Sequence, residues 1–105
     1  MDDAAFDAIA HDEMAYLEDR LGELDPDDVE LTVSSGVLRI DLRDGTKIVV
    51  NSHRAARQIW MAAIATAWHF DPVDGGRWVA AKTNEELRST LARLLRERVG
   101  VQIQL

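Results

Sequence analysis

The feature that most limits what this chain can fold into is a long block of period-two alternation, Val29 to Ala80, cut by tight-turn dipeptides. Val29, Leu31 and Val33 alternate with Glu30, Thr32 and Ser34, and Leu38, Ile40 and Leu42 alternate with Arg39, Asp41 and Arg43. Alternation of this kind buries one face of a strand and leaves the other to solvent. Ser35-Gly36 and Asp44-Gly45 supply the left-handed conformations that join such runs into hairpins. A third strand is expected over Lys47 to Asn51 with Ile48 and Val50 inward, ending at the polar break Ser52-His53-Arg54. Gln58 to Ala62 follows with Ile59 and Met61 inward, so Gln58 and Trp60 point out. Ala67 to Phe70 and Arg77 to Ala80 read as short strands around the Asp74-Gly75-Gly76 turn.

Helical periodicity brackets this block. Phe6, Ile9, Ala10, Met14, Leu17 and Leu21 form one stripe of a helix from about Asp3 to Glu23. Pro26 disfavours the helical conformation at Asp25 and ends it. Thr83 and Glu86 have the spacing of a capping box ahead of Leu87, Leu91, Leu94 and Leu95. Arg88, Arg93, Arg96 and Arg98 suit the later turns of that helix, and Gly100 is placed to cap it. The alternating tail Val101 to Leu105 is expected to pack back on the domain. Hairpin-joined strands make the sheet antiparallel, with both helices on one face. The reading is an α+β two-layer sandwich in α-β-β-β-β-β-β-α order, with five to six strands, forming a single domain over 1–105.

Charge is distributed unevenly over this frame. Between Met1 and Glu30 stand twelve carboxylates: Asp2, Asp3, Asp7, Asp12, Glu13, Glu18, Asp19, Glu23, Asp25, Asp27, Asp28 and Glu30. Arg20 is the one basic residue among them, while the rest of the chain is net basic. Like charges one turn apart cost a helix a few tenths of a kcal/mol each, so such an accumulation suggests a use for the field. A pI near 4.8 repels phosphates and argues against nucleic acid. It favours cations or a basic protein surface.

Several chemistries are excluded. With 47% hydrophobic and 30% charged residues the chain is globular, not disordered. It has no cysteine, so disulfides, thiolate metal sites and cysteine nucleophiles are ruled out. The acidic N-terminus is neither a signal peptide nor a basic transit peptide. Ile59 to Trp68 is the longest apolar stretch and is too short to span a bilayer, so no membrane role is expected. Glycine-rich phosphate loops, GxSxG and HExxH are absent. Asp25-Pro26-Asp27-Asp28 fails as a calcium loop, because Glu30 stands where an EF-hand needs glycine. His11, His53 and His69 are scattered. No motif supports a conventional enzyme, and no catalytic residue is assigned.

The middle of the chain carries a more specific pattern. Gly36-Val37-Leu38-Arg39-Ile40, Asp44-Gly45-Thr46-Lys47-Ile48-Val49-Val50-Asn51 and Gln58-Ile59-Trp60 closely resemble the frataxin signature, and His69-Phe70-Asp71 and Trp78 follow at that family's spacing. The acidic first helix and the element order match too, and the resemblance spans about residues 4 to 100. Two local departures stand out. His53 and Ala55 occupy positions where the family commonly has Gln and Pro. Thr66-Ala67-Trp68 lacks the glycine usual before the aromatic of the fifth strand.

The resemblance implies a single frataxin-like domain of bacterial type, and a cytoplasmic location. It implies weak, exchangeable binding of iron (Fe2+ or Fe3+) and a role in iron–sulfur cluster assembly. The implied partners are the cysteine desulfurase and its iron–sulfur scaffold protein. Carried over by position, the metal candidates are Glu18, Asp19, Glu23, Asp25, Asp27, Asp28 and Glu30, and the partner-binding candidates are Asn51, Gln58, Trp60 and His69. A monomer is expected, with iron-induced oligomers as the alternative state.

Each candidate has a plainer reading. Carboxylates are hard donors that accept iron, but also calcium, magnesium and manganese, and on a solvated helix they build no selective cage. A solubilising face would look the same. The expected focus is where the helix end, the Asp25–Asp28 turn and the first strand bring carboxylates together. His11 lies beside Asp7 and Glu18 and could add an imidazole ligand, though a lone surface histidine is commonly neutral to function. Trp60 is a natural interface anchor unless Arg39 or a loop covers it. Asn51 could contact a partner or only satisfy loop backbone. Trp68, Phe70 and Trp78 are assigned to the core. Against the iron-binding accessory role stand two alternatives: an acidic interaction module with incidental iron, and a ferroxidase. The ferroxidase lacks a Glu-x-x-His di-iron motif.

Overall fold

The computed structural model describes all residues from Met1 to Leu105. Its elements are α1 (Asp3–Gly22), β1 (Val29–Ser34), β2 (Val37–Leu42), β3 (Lys47–His53), β4 (Gln58–Ala63), β5 (Thr66–Val73), β6 (Arg77–Ala80) and α2 (Leu87–Val99). A short 3₁₀ turn, Arg54–Ala56, joins β3 to β4. The six strands form one antiparallel sheet in chain order, and the two helices pack on one of its faces. The α+β sandwich is therefore as the periodicity predicts.

The turns follow from their residues. Ser35 and Gly36 both have positive φ and close Ser34 on Val37, the two-residue hairpin whose twist matches the flanking strands. At the next turn the Asp44 carboxylate accepts the Thr46 N–H, and Gly45 takes φ 90°. Inward residues of the strands meet Phe6, Leu17 and Leu21 of α1 and Leu87, Leu91 and Leu95 of α2 in one core. Trp68, Phe70 and Trp78 belong to it, as expected. Gly100 caps α2 at φ 68°, and Val101, Ile103 and Leu105 fold back on the core. The Arg20 guanidinium fastens this tail by donating to the Gln104 carbonyl.

Four local expectations need correction. The Thr83–Glu86 capping box does not form, because α2 starts at Leu87 and Glu86 is still extended. Glu86 instead bridges to Val79 and the Glu85 carbonyl accepts the Ala80 N–H, so the sheet holds this segment out of the helix. Thr83 caps the Glu85 N–H. Strand β3 continues through His53 and β5 runs from Thr66 to Val73, both longer than alternation alone suggested. Ile9 is not in the buried stripe; it is 36% exposed, and Glu13 takes the buried place. Finally, the carboxylates of the Asp25–Asp28 turn do not converge into a metal-holding cluster.

Candidate functional site

The acids of α1 are divided by the arginines that reach them. Arg54, from the β3–β4 turn, grips Asp7 with two hydrogen bonds of 3.0 and 2.6 Å. That contact, above all the hydrogen bond itself, raises the pKa of Arg54. Arg57, in the left-handed region at φ 54°, reaches Asp3 and the Met1 carbonyl. Glu13 is held by Arg88. Glu23 pairs with Arg20 and Asp28 with Arg43. The first half of α1 is thus largely neutralised by its own fold.

Apart from Asp12, the unpaired acids of the ridge lie further along. Glu18, Asp19, Asp27 and Glu30 are exposed and have no ion-pair partner, and Asp25 serves as an acceptor for the Asp27 N–H. No three His, Asp or Glu side chains lie close enough together to hold an ion. The turn spreads its acids because the Asp25 carboxylate accepts from the Asp27 N–H while Asp28 is drawn to Arg43. His11 is exposed on α1, and its neighbour Asp7 is already occupied by Arg54. Chemically the ridge offers separated hard oxygen donors in water. Such a set fits weak, exchangeable association with a hard cation and no closed coordination shell.

The outer face of the sheet carries the second group. Strand register places Asn51 opposite Trp60 and Trp60 opposite His69, while His53 pairs with Gln58. Trp60 does point outward, but it is half-buried instead of free. His53 stacks on one face of the indole at 3.9 Å between centroids and His69 on the other at 4.2 Å, both within 15° of parallel. The Trp60 Nε1–H donates to Gln58 Oε1 at 2.8 Å, and Gln58 Nε2 donates to Asp71 Oδ1 at 2.9 Å. Both ends of the amide are therefore used to fix the indole. All four partner candidates, Asn51, Gln58, Trp60 and His69, are neighbours on one surface.

His53 is the residue that sequence reasoning missed. Ending β3 at Asn51 put His53 in a loop, whereas continued alternation would have placed it on the same face as Asn51. Its Nδ1 is buried without a hydrogen-bond partner.

Comparison with known proteins gives this arrangement a family. The frataxin-like domain model matches residues 1–101. The iron-sulfur cluster assembly protein CyaY of Dechloromonas aromatica is 40% identical over 106 residues, covering 100% of this chain and 99% of that one. The CyaY of Ralstonia pickettii is 32% identical, covering 100% and 95%. This chain belongs to the frataxin family.

Solved frataxins have the same fold. The frataxin from Psychromonas ingrahamii superposes with a TM-score of 0.88 at 20% identity, over 99% of this chain and 97% of the other. A trimeric frataxin from Saccharomyces cerevisiae, complexed with ferrous iron, gives 0.76 at 26% identity, over 89% and 87%. The bacterial relatives span the whole of this frataxin, and the family resemblance read from Asn51, Gln58-Ile59-Trp60 and Trp78 is upheld. No helix of the fold is long and apolar enough to cross a membrane.

Proposed function

We propose that this frataxin is an accessory protein of iron–sulfur cluster assembly that binds iron weakly on its acidic ridge and docks on the cysteine desulfurase and its scaffold. The observation that carries the reading is the residue pattern left after internal pairing: Glu18, Asp19, Asp27 and Glu30 stay exposed and without a cation of their own. Such charge attracts metal cations and a basic protein patch alike, and the attraction weakens as salt rises. Glu23, Asp25, Asp28 and His11 are the outer members of the metal-binding set. The names of the CyaY relatives support the assembly role, and the yeast relative's complex with ferrous iron supports iron as the cation. On the sheet, Trp60 with Asn51, Gln58 and His69 forms the scaffold-facing contact. An indole held by two imidazoles and an amide is pre-ordered, so docking costs it little side-chain entropy.

The protein is proposed to work without a catalytic centre of its own, as a monomer, with iron loading the condition under which oligomers would form. A second reading, an interaction module for which iron is incidental, is favoured by the absence of any three clustered ligands. Anaerobic ferrous titration followed by NMR, with and without the desulfurase, separates the two. The accessory role predicts iron-dependent shifts within residues 7 to 30 that persist or change in the complex. Shifts elsewhere, or none, would reject it. Oxygen consumption with ferrous iron tests the ferroxidase alternative.

A further inference from the structure

On the helix layer, away from the outer sheet face, a groove of about 560 Å³ runs between α1 and the β5–β6 hairpin. Its apolar side includes Ile9, Tyr16, Val73 and Trp78, and its rim carries Asp12 and Asp74. Ile9 and Val73 are 36% and 38% exposed, two of the few large aliphatic side chains left in water by this fold. Ile9 is the residue that drops out of the buried stripe, and nothing in the core accounts for an isoleucine there.

Past Arg88 a second hollow of about 290 Å³ shares most of its lining with the first, including Glu13, Trp78 and Arg88, and extends it to Glu86 and Leu105. The two hollows overlap and form one continuous groove lined from Ile9 to Leu105, open to an extended segment. The charges favour a basic occupant. Arg88 is neutralised by Glu13, whereas Asp12 and Asp74 have no ion-pair partner. Arg77 is the one free cation on the lining, so the groove keeps a net negative charge, next to the acidic surface of α1.

We propose that this groove docks an extended segment of a protein partner in which an aliphatic side chain stands next to Lys or Arg. The aliphatic group covers Ile9 and Val73, and the cation reaches Asp12 or Asp74. Burying a single leucine against such a floor is worth roughly tenfold in affinity. The site is separate from the Trp60 face and does not depend on its role.

The test uses the full-length isotope-labelled protein and the peptide acetyl-Lys-Leu-Lys-Leu-Lys-amide, followed by NMR. Expected are shifts at the Ile9 and Val73 methyl groups, the Trp78 indole N–H and the Gly75 and Gly76 amides. Binding should be roughly tenfold tighter than that of the same peptide with Gly in place of Leu. Ile9→Ser with Val73→Ser should abolish the difference, while unchanged core methyl shifts report an intact fold. Asp12→Asn with Asp74→Asn should weaken both peptides. Equal binding of the leucine and glycine peptides would overturn the proposal. So would shifts confined to Glu18–Glu30, or benzylamine binding as tightly as the peptide, which would mark a small-molecule pocket.

Discussion

The guanidinium of Arg88 closes on the carboxylate of Glu13 through two hydrogen bonds, Nε to Oε2 at 2.9 Å and Nη2 to Oε1 at 2.7 Å, joining α2 to α1. Arg88 also lies 3.9 Å over the Tyr16 ring. The hydrogen bond to Glu13, foremost, raises the pKa of Arg88. The two partners are unequally buried: the Glu13 side chain is 3% exposed and that of Arg88 34%.

That inequality makes a directional prediction. Arg88→Ala strands a carboxylate in the interior and should cost about 3–5 kcal/mol of unfolding free energy. Glu13→Gln leaves an arginine that can turn to water and should cost about 1–3 kcal/mol. The double change Glu13→Leu with Arg88→Leu should cost less than Arg88→Ala alone. Urea unfolding of the three variants measures this, and equal costs for the single changes would show that burial does not govern the pair.

Glu85 sets an acid-side dependence. Its carboxylate accepts from the Trp68 indole at 3.0 Å and from Arg93 at 3.0 Å. The Trp68 hydrogen bond, followed by Thr83 and Arg93, lowers its pKa below 4.5. A group lowered on folding stabilises fully above its unfolded pKa, and that contribution fades as pH falls through the folded value. Glu85→Gln should therefore cost about 1–2 kcal/mol at neutral pH, with the gap to the parent shrinking under acid. Thermal melts at stepped pH below the ordinary carboxylate range read this out. A gap independent of pH would assign the loss to packing.

The stack at Trp60 separates stability from binding. Each aromatic pair is worth about 0.5–1.5 kcal/mol beyond its area, so His53→Ala or His69→Ala should lower stability by about that amount. Tryptophan emission should shift to the red as one indole face meets water. Trp60→Ala should leave the fold intact, because the side chain is outside the core, yet weaken binding to scaffold or desulfurase about tenfold or more. Calorimetric titration beside thermal melts separates the outcomes. Large loss of stability with normal binding would make the stack a structural device.

Much of the fold was legible because its signals are local and repeated. Alternation in Val29–Val33 and Leu38–Leu42, with Ser35-Gly36 between them, specifies a hairpin and its buried face together. The missed features depend on partners distant in the chain. Glu13 reads as one more surface acid until Arg88, on the far helix, makes its burial tolerable. The Thr83–Glu86 spacing is a genuine cap signal, overridden by a sheet contact with Val79. The ridge looked denser in sequence than it is in space, since Arg54, Arg57 and Arg43 reach it from turns that periodicity does not relate to α1. His53 was lost to a strand end placed two residues early, and strand ends are where pattern reading is weakest.

The division of the ridge yields the sharpest functional prediction. If the unpaired acids do the work, Glu18→Lys with Asp19→Lys, or Asp27→Lys with Glu30→Lys, should weaken ferrous binding and desulfurase binding together. The salt dependence of desulfurase binding should flatten as well, because charges separated by solvent lose their attraction over about 8–10 Å at physiological salt. Asp3→Asn with Asp7→Asn changes fewer charges and removes only acids already held by Arg57 and Arg54. It should leave both bindings nearly unchanged and cost about 0–1 kcal/mol of stability per exposed pair. Freed of Asp7, Arg54 even adds a cation near the first turn of α1, so any residual effect should be a small repulsion of the metal. Equilibrium iron titration and binding measured across a salt series compare the sets directly. Equal losses from both would mean that total charge, and not the unpaired ridge, governs recognition.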